Sequence, residues 1–344
     1  MLGYILTFIL ALSITYTLTP LVKKIAFRTG AVDYPDAGAS GRRVHVRPTP
    51  RLGGLAIYLG FVLPVLTLIP VEGSRLYGLL LGASLVLLLG LVDDYRNLSP
   101  RLKLGGQIVA ALIFIYLGNR VLWLSNPWSQ GPQDAMWYIG PWAVPLTLLW
   151  VVGVTNTINL IDGLDGLAAG VTTIAAITLL VVALQEGQES IALLTAALAG
   201  STLGFLPYNF NPAQIFMGDT GSLFLGFVLA AIAVQGTLKS ATVIALAVPM
   251  VALGLPIIDT FFAIVRRYRN GSPIFKADKG HLHHRLLERG LSQRQAVLFL
   301  YSVSGVFGMG ALAIGDNGGK YSLFALAAAA FILLYSLRRL DKWI

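Results

Sequence analysis

The sequence predicts an all-α integral membrane protein of about eleven transmembrane helices, with its amino terminus outside and its carboxy terminus in the cytoplasm. Three observations carry this expectation. The chain has 344 residues, of which 56% are hydrophobic and only 12% charged, against roughly 25% charged in an ordinary soluble domain. Its apolar residues fall into long runs, and a helix needs about 20 such residues to cross the hydrocarbon core. Its basic residues alternate strongly between successive loops, as the positive-inside rule requires.

In chain order the runs are Gly3–Leu21, Leu52–Pro70, Leu76–Val92, Leu104–Leu117, Trp142–Thr157, Leu167–Leu184, Ile191–Pro207, Ser222–Gln235, Ala241–Ile264, Ala296–Ile314 and Tyr321–Leu337. The first lacks a small-residue cleavage pattern after a basic start and reads as a retained span. The ninth contains Pro249, Gly254 and Pro256, so a kinked or broken helix is expected there. Twenty-one of the 25 Lys and Arg residues fall in the loops after spans one, three and nine and in the tail; that side is assigned to the cytoplasm. The outer segment from Arg120 to Trp142 carries Trp123, Trp128, Trp137 and Trp142 as belt anchors and reads as an interfacial hairpin or short amphipathic element. No repeat or low-complexity tract appears, so residues 1–344 are read as one domain.

Composition also excludes. There are no cysteines, hence no disulfide framework and no thiolate metal site. The net charge of +9 is distributed by loop rather than as a nucleic-acid patch. No Gly-x-x-x-x-Gly-Lys-Ser/Thr loop is present, which removes a P-loop ATPase.

The polar motifs all fall on the cytoplasmic side, although only Lys and Arg set the topology. After span five, Asn156, Asn159, Asp162 and Asp165 recur every three residues, followed by Gly163 and Gly166. If the helix continues, such side chains converge, and their hard oxygens suit Mg²⁺ and a nucleotide. A polar helix end in water is the plain alternative. Asp93-Asp94 closes span three; acidic groups at that depth mark substrate or ion paths, unless Asp93 is a helix boundary paired with Arg96. Asp219, in Phe216-Met-Gly-Asp-Thr-Gly-Ser222, opens span eight either as an N-cap or as a metal-binding carboxylate at an anion-binding helix terminus. His281, His283 and His284 lie beside Lys279, Arg285 and Arg289. Their spacing fits no tetrahedral Zn²⁺ template and favours an anion clamp. His45, with Arg47 and Arg51, is either a further anion contact or a loop before a helix. Asp259, inside span nine, is read as a structural partner of Arg266 and kept outside the catalytic set.

Together these segments resemble the polyprenyl-phosphate N-acetylhexosamine-1-phosphate transferase family. The resemblance runs from His45-Val-Arg-Pro-Thr-Pro-Arg-Leu-Gly-Gly54 to His284-Arg285 and is carried by four motifs in order. These are Asp-Asp, Asn-x-x-Asn-x-x-Asp-Gly-x-Asp-Gly, Gly-Asp-x-Gly-Ser and His-x-His-His. Lys279-Gly-His-Leu-His-His-Arg is most like the branch using UDP-N-acetylglucosamine. The resemblance implies a bacterial inner-membrane enzyme with its site on the cytoplasmic face. It implies Mg²⁺, with Mn²⁺ as a substitute, and transfer of GlcNAc-1-phosphate from UDP-GlcNAc to undecaprenyl phosphate with release of UMP. Asp219 and Asn159 would hold the metal. Asp165, Phe216 and Asn156 would bind the nucleotide. Lys103, His281, His283, His284, Arg285 and His45 would hold phosphates, and Asp93, Asp94 and Asp162 would be catalytic. Membrane lipid is an expected partner, a homodimer a possible assembly, and nucleic acid is not expected. The alternatives are the phospho-MurNAc-pentapeptide branch and, more remotely, a secondary transporter, which predicts midplane sites and internal symmetry.

Overall fold

A computed structural model of the protein describes residues 2–34, 48–69, 73–125, 136–239, 247–269 and 281–315. Twelve helices occupy them. They are α1 (Leu2–Thr29), α2 (Gly53–Leu68), α3 (Ser74–Arg96), α4 (Pro100–Tyr116), α5 (Ala143–Ile161), α6 (Leu167–Gln185), α7 (Glu189–Asn209), α8 (Gly218–Lys239), α9 (Ala247–Ala252), α10 (Gly254–Arg269), α11 (Leu282–Glu288) and α12 (Gln293–Gly315).

Among the described residues seven helices are long and apolar enough to cross a membrane: α1, α3, α5 with the turn before it, α6, α7, α8 and α12. These seven coincide with seven of the eleven expected runs. The second and fourth runs form helices of only 16 and 17 residues. The eleventh lies outside the described residues, as does the start of the ninth. The rest of the ninth is two helices, α9 and α10, meeting at Leu253.

α8 is the central column. Of its apolar window 89% is buried, against 28% for α1, whose Leu2, Ile5, Leu6 and Ile9 stay exposed. The sequence explains the difference. Between Asp219 and Lys239, α8 carries no charge and is apolar all round, as a helix enclosed by others must be. Small residues let its neighbours close in: Gly226 lies against Thr155 of α5, and Gly82 of α3 lies against Phe227. α2, α3 and α5 pack directly on α8, while α7 packs against α1, α2 and α6.

Two short antiparallel ladders interrupt the all-helical expectation. β1 (Val32–Asp33) pairs with β2 (Thr49–Pro50), and β3 (Trp123–Ser125) pairs with β4 (Met136–Tyr138). The second falls in the segment read as a hairpin or short amphipathic element and pairs as two strands, with the Trp123 and Tyr138 rings 4.9 Å apart. His45 and Trp128 lie outside the described residues.

Candidate active site

The site is assembled at one end of the bundle, where α3 ends, α4 begins, α5 ends and α8 begins. The turn between α3 and α4 is written locally. Asn97 takes a left-handed conformation (φ 48°) that ends α3, a cap position Asn tolerates. Ser99 then caps α4, accepting the Leu102 N–H, with Pro100 in the first helical position, as helix starts prefer. One turn later Lys103 faces back to Asp93.

Asp93 and Asp94 diverge, as adjacent helical residues must. Asp93 Oδ1 accepts the Leu98 N–H at 2.6 Å and Oδ2 accepts Lys103 Nζ at 3.2 Å. Lys103, not Arg96, is therefore its cationic partner. Asp94 points to α8. Its carboxylate accepts the Asp219 and Thr220 N–H groups, both at 3.0 Å, and the Thr220 hydroxyl at 2.6 Å. It thus caps α8 from another helix and places negative charge at that helix's positive end. This frees Asp219 from the N-cap role. Its Oδ2 accepts Lys103 Nζ at 2.8 Å and its Oδ1 accepts Asn159 Nδ2 at 3.1 Å.

Two glycines make the approach possible. Gly218 has φ +70°, and a Cβ there would strike the Arg51 carbonyl and the Asp94 carboxylate. A Cβ at Gly90 would collide with the Asp219–Thr220 backbone.

α5 stops at Ile161, so the three-residue recurrence is only half helical. Asn156 and Asn159 lie on the helix, whereas Asp162 and Asp165 lie in the following turn. Gly166, at φ +80°, begins α6. Asn159 also donates to Ser222 Oγ at 2.8 Å. Asn156 exchanges amide hydrogen bonds with buried Gln107 of α4 and donates to the Val152 carbonyl. Asp165 Oδ2 accepts Asn211 Nδ2 at 2.9 Å and the Ala213 N–H at 3.0 Å, which ties it to the loop before α8. Phe216, in that loop, is held by backbone bonds to Pro50 and Gly53. Burial pushes the Asp162 carboxyl well above the usual carboxylate range, and the charges of Asp219, Asp94 and Asp165 add to the effect.

The histidine segment closes another side. His283 is buried and its Nε2 lies against Gly163, next to Asp162. Burial, reinforced by His284, holds its pKa down to about 3, so the ring is neutral. His281 is also buried and stacks on His283 with centroids 5.7 Å apart; the His284 ring is 4.3 Å from that of His283. Arg285 is exposed. Asp259 pairs with His281 Nδ1 at 2.9 Å. α10 thus turns this carboxylate toward the start of α11, a contact the sequence reading did not anticipate.

The sequence reading missed Asp94 as a cap, Gln107 as the partner of Asn156, and Asn211 as the partner of Asp165. The first was hidden because Asp219 itself could be read as the N-cap of that helix. The other two join residues 49 and 46 positions apart, and no local signal marks them.

The donor set fits Mg²⁺. Among the described residues no three carboxylate or imidazole groups form a cage for a metal. Mg²⁺ needs none, since it binds one or two carboxylates together with water and substrate phosphates. Asp219 supplies hard carboxylate oxygens, one of them met by the Asn159 Nδ2 donor, and Asp162 adds a carboxyl within electrostatic range of Asp219.

A family model described as glycosyl transferase family 4 matches residues 76–237, the stretch from α3 to α8 that supplies Asp93, Lys103, Asn159, Asp162 and Asp219. A probable undecaprenyl-phosphate N-acetylglucosaminyl 1-phosphate transferase of Bacillus subtilis (strain 168) is 42% identical over 334 residues, covering 97% of this chain and 90% of the relative. The chain belongs to glycosyl transferase family 4. Two further relatives of this family 4 transferase bracket the similarity. A decaprenyl-phosphate N-acetylglucosaminephosphotransferase of Mycobacterium tuberculosis is 38% identical over 87% of this chain and 79% of its own length. A phospho-N-acetylmuramoyl-pentapeptide-transferase of Moorella thermoacetica is 33% identical over 88% and 96%. Family membership and the apolar helices together make this a multi-pass membrane protein.

Proposed function

We propose that this protein transfers GlcNAc-1-phosphate from UDP-GlcNAc to undecaprenyl phosphate, giving undecaprenyl-diphosphate-GlcNAc and UMP. The observation that carries the reading is Lys103, held between Asp93 and Asp219 at the end of the bundle where α5 and α8 bring Asn159 and Ser222. Charged groups without a structural need, gathered at one membrane face, suit a diphosphate substrate.

In the reaction an oxygen of the lipid phosphate attacks the phosphorus bearing the sugar. A new P–O bond forms, the bond to the nucleotide phosphate breaks, and UMP leaves with the bonding electron pair. Positioning and charge neutralisation supply most of the catalysis in such transfers. Asp219 and Asn159, with Asp162 beside them, would hold Mg²⁺, which neutralises diphosphate charge when bound. Lys103 adds a fixed ammonium to the same site. Asp94 sets the direction of α8 and hence of Asp219. Asp165 and Phe216, on adjoining segments, suit the uracil. Asp93 orients Lys103 rather than removing a proton. Both of its oxygens are already occupied, and a phosphate monoester with a second pKa near ~6 is largely ionised at neutral pH. A pH–rate comparison checks this: Asp93→Asn stays slow at high pH, and recovery there would restore the base role.

The cytoplasmic face of the bacterial inner membrane is supported by the sequence, in which 21 of the 25 basic residues fall in the loops assigned to the side that carries the polar motifs. The product would be the first lipid intermediate of a cell-surface polysaccharide, such as O-antigen, common antigen or a teichoic-acid linkage unit. The muramoyl-pentapeptide reading is less favoured, because the relative bearing that name is 33% identical against 42%. Purified protein given undecaprenyl phosphate, Mg²⁺ and UDP-GlcNAc is expected to release UMP and form the lipid product. Product only from UDP-MurNAc-pentapeptide, or from neither donor, overturns the proposal.

A further inference from the structure

The histidine segment ends in a helix, α11, of only seven residues. Helices that short do not hold themselves in water, so its place must be set by its neighbours. One group does most of this. Asp259 of α10 receives the Leu282 N–H on Oδ1 at 2.8 Å and meets His281 Nδ1 on Oδ2 at 2.9 Å. One carboxylate thus caps the first turn of α11 and fixes the ring that precedes it. Its side chain is 11% exposed and that of His281 is 5%. Asp259 and His283 share a small cavity with the apolar side chains of Ile161, Leu255, Leu282 and Leu300, where charge-assisted bonds are strong. The constraint is then passed on. His281 stacks on His283 with planes 8° apart, and His283 Nε2 rests against Gly163 beside Asp162.

We propose that Asp259 is a positioning residue of the transferase site: it fixes the ring orientation and tautomer of His281, and through the stacked His283 it seats the histidine segment against the Asp162–Gly163 turn. This rests on the transferase reading for its kinetic consequence but not for its structural one. An ionised carboxylate can only accept, so His281 must carry its proton on Nδ1.

The test uses the full-length protein in detergent micelles, labelled with ¹⁵N-histidine. The chain has four histidines, and His281→Ala identifies the signal. Wild type is expected to show His281 protonated at Nδ1. In Asp259→Asn the amide oxygen keeps the Leu282 bond while its NH₂ faces the ring, which moves the proton to Nε2. Transfer is expected to fall on the order of 10- to 100-fold in Asp259→Asn and in His281→Ala, the cost of a misplaced group. The double variant is expected to fall no further than His281→Ala. A wild-type ring protonated only at Nε2, a wild-type rate in Asp259→Asn, or a double variant that multiplies the two losses overturns the proposal. If Asp259→Asn does not fold, His281→Ala decides, because it leaves the Leu282 cap intact: a near-wild-type rate sinks the proposal. If wild type makes no product, the transferase reading fails while the tautomer still decides whether Asp259 sets the ring.

Discussion

Two buried polar clusters sit at opposite ends of α8, about 24 Å apart at the helical rise per residue, and they are built on different rules. At the far end Gln235 Nε2 donates to the Arg75 carbonyl at 3.1 Å and to Asn119 Oδ1 at 3.0 Å. Asn119 Nδ2 donates to the carbonyls of Arg75 and Phe114. This cluster is made of amides and backbone carbonyls, each donor pairs with an acceptor, and Asn119 is completely buried. At the near end Asp93, Lys103, Asp219 and Asp162 concentrate charge, and among the described residues the Asp162 carboxyl receives no hydrogen bond. The first arrangement joins α3, α4 and α8. The second joins the same helices at a cost in electrostatics that structure alone does not require. Saturated neutral networks stabilise, whereas clustered, partly unsatisfied charge marks a place awaiting a ligand.

This contrast can be broken experimentally. The largest effect is expected for Asp219→Ala. Transfer should fall by about 1000-fold, the scale seen on deleting one preorganised electrostatic group, with thermal unfolding in detergent nearly unchanged, since Lys103 keeps Asp93. A large drop in melting temperature would make the near cluster structural. Next, Asp94→Asn should split its effect. It halves the cap on α8, costing about 1–2 kcal/mol, and shifts Asp219 enough to slow transfer about 10-fold. At the far end Asn119→Ala should cost about 1–3 kcal/mol, because it strands buried partners, while activity per folded molecule stays at wild type. Lost activity there would erase the distinction.

The smallest effect is in pH. Burial lowers the pKa of His283 from its ordinary 6.5 to about 3. Between those values the unfolded chain binds the extra proton, so stability falls as pH drops through that window and is unaffected above it. Unfolding measured against pH should show a shallower acid loss in His283→Gln than in wild type. Equal slopes would mean the ring is accessible to water.

Much of the site was legible because it is locally written. The polar burst at Asn156–Gly166 breaks an apolar run, whereas the turn at Asn97–Pro100 that returns Lys103 to Asp93 is not anticipated, the sequence reading favouring Arg96. Asn159 and Asp219 meet as that reading required. Asp259 was visible as a carboxylate within an apolar span, but its partner was not. His281 lies 22 residues away, beyond any helical repeat. Asp94 illustrates the same limit from the other side: read as one of a reactive pair, it also caps a helix by accepting an N–H 125 residues later.

By itself the sequence determined the membrane as solvent and most of the helices, because hydrophobic run length and proline act over one or two turns. It also determined which residue types could meet a diphosphate. Only the tertiary structure decided which carboxylate holds a helix, which holds a lysine and which stays unpaired. Those choices depend on how closely α3 and α8 approach at Gly90 and Gly218, and packing distances between remote segments leave no periodic trace along the chain.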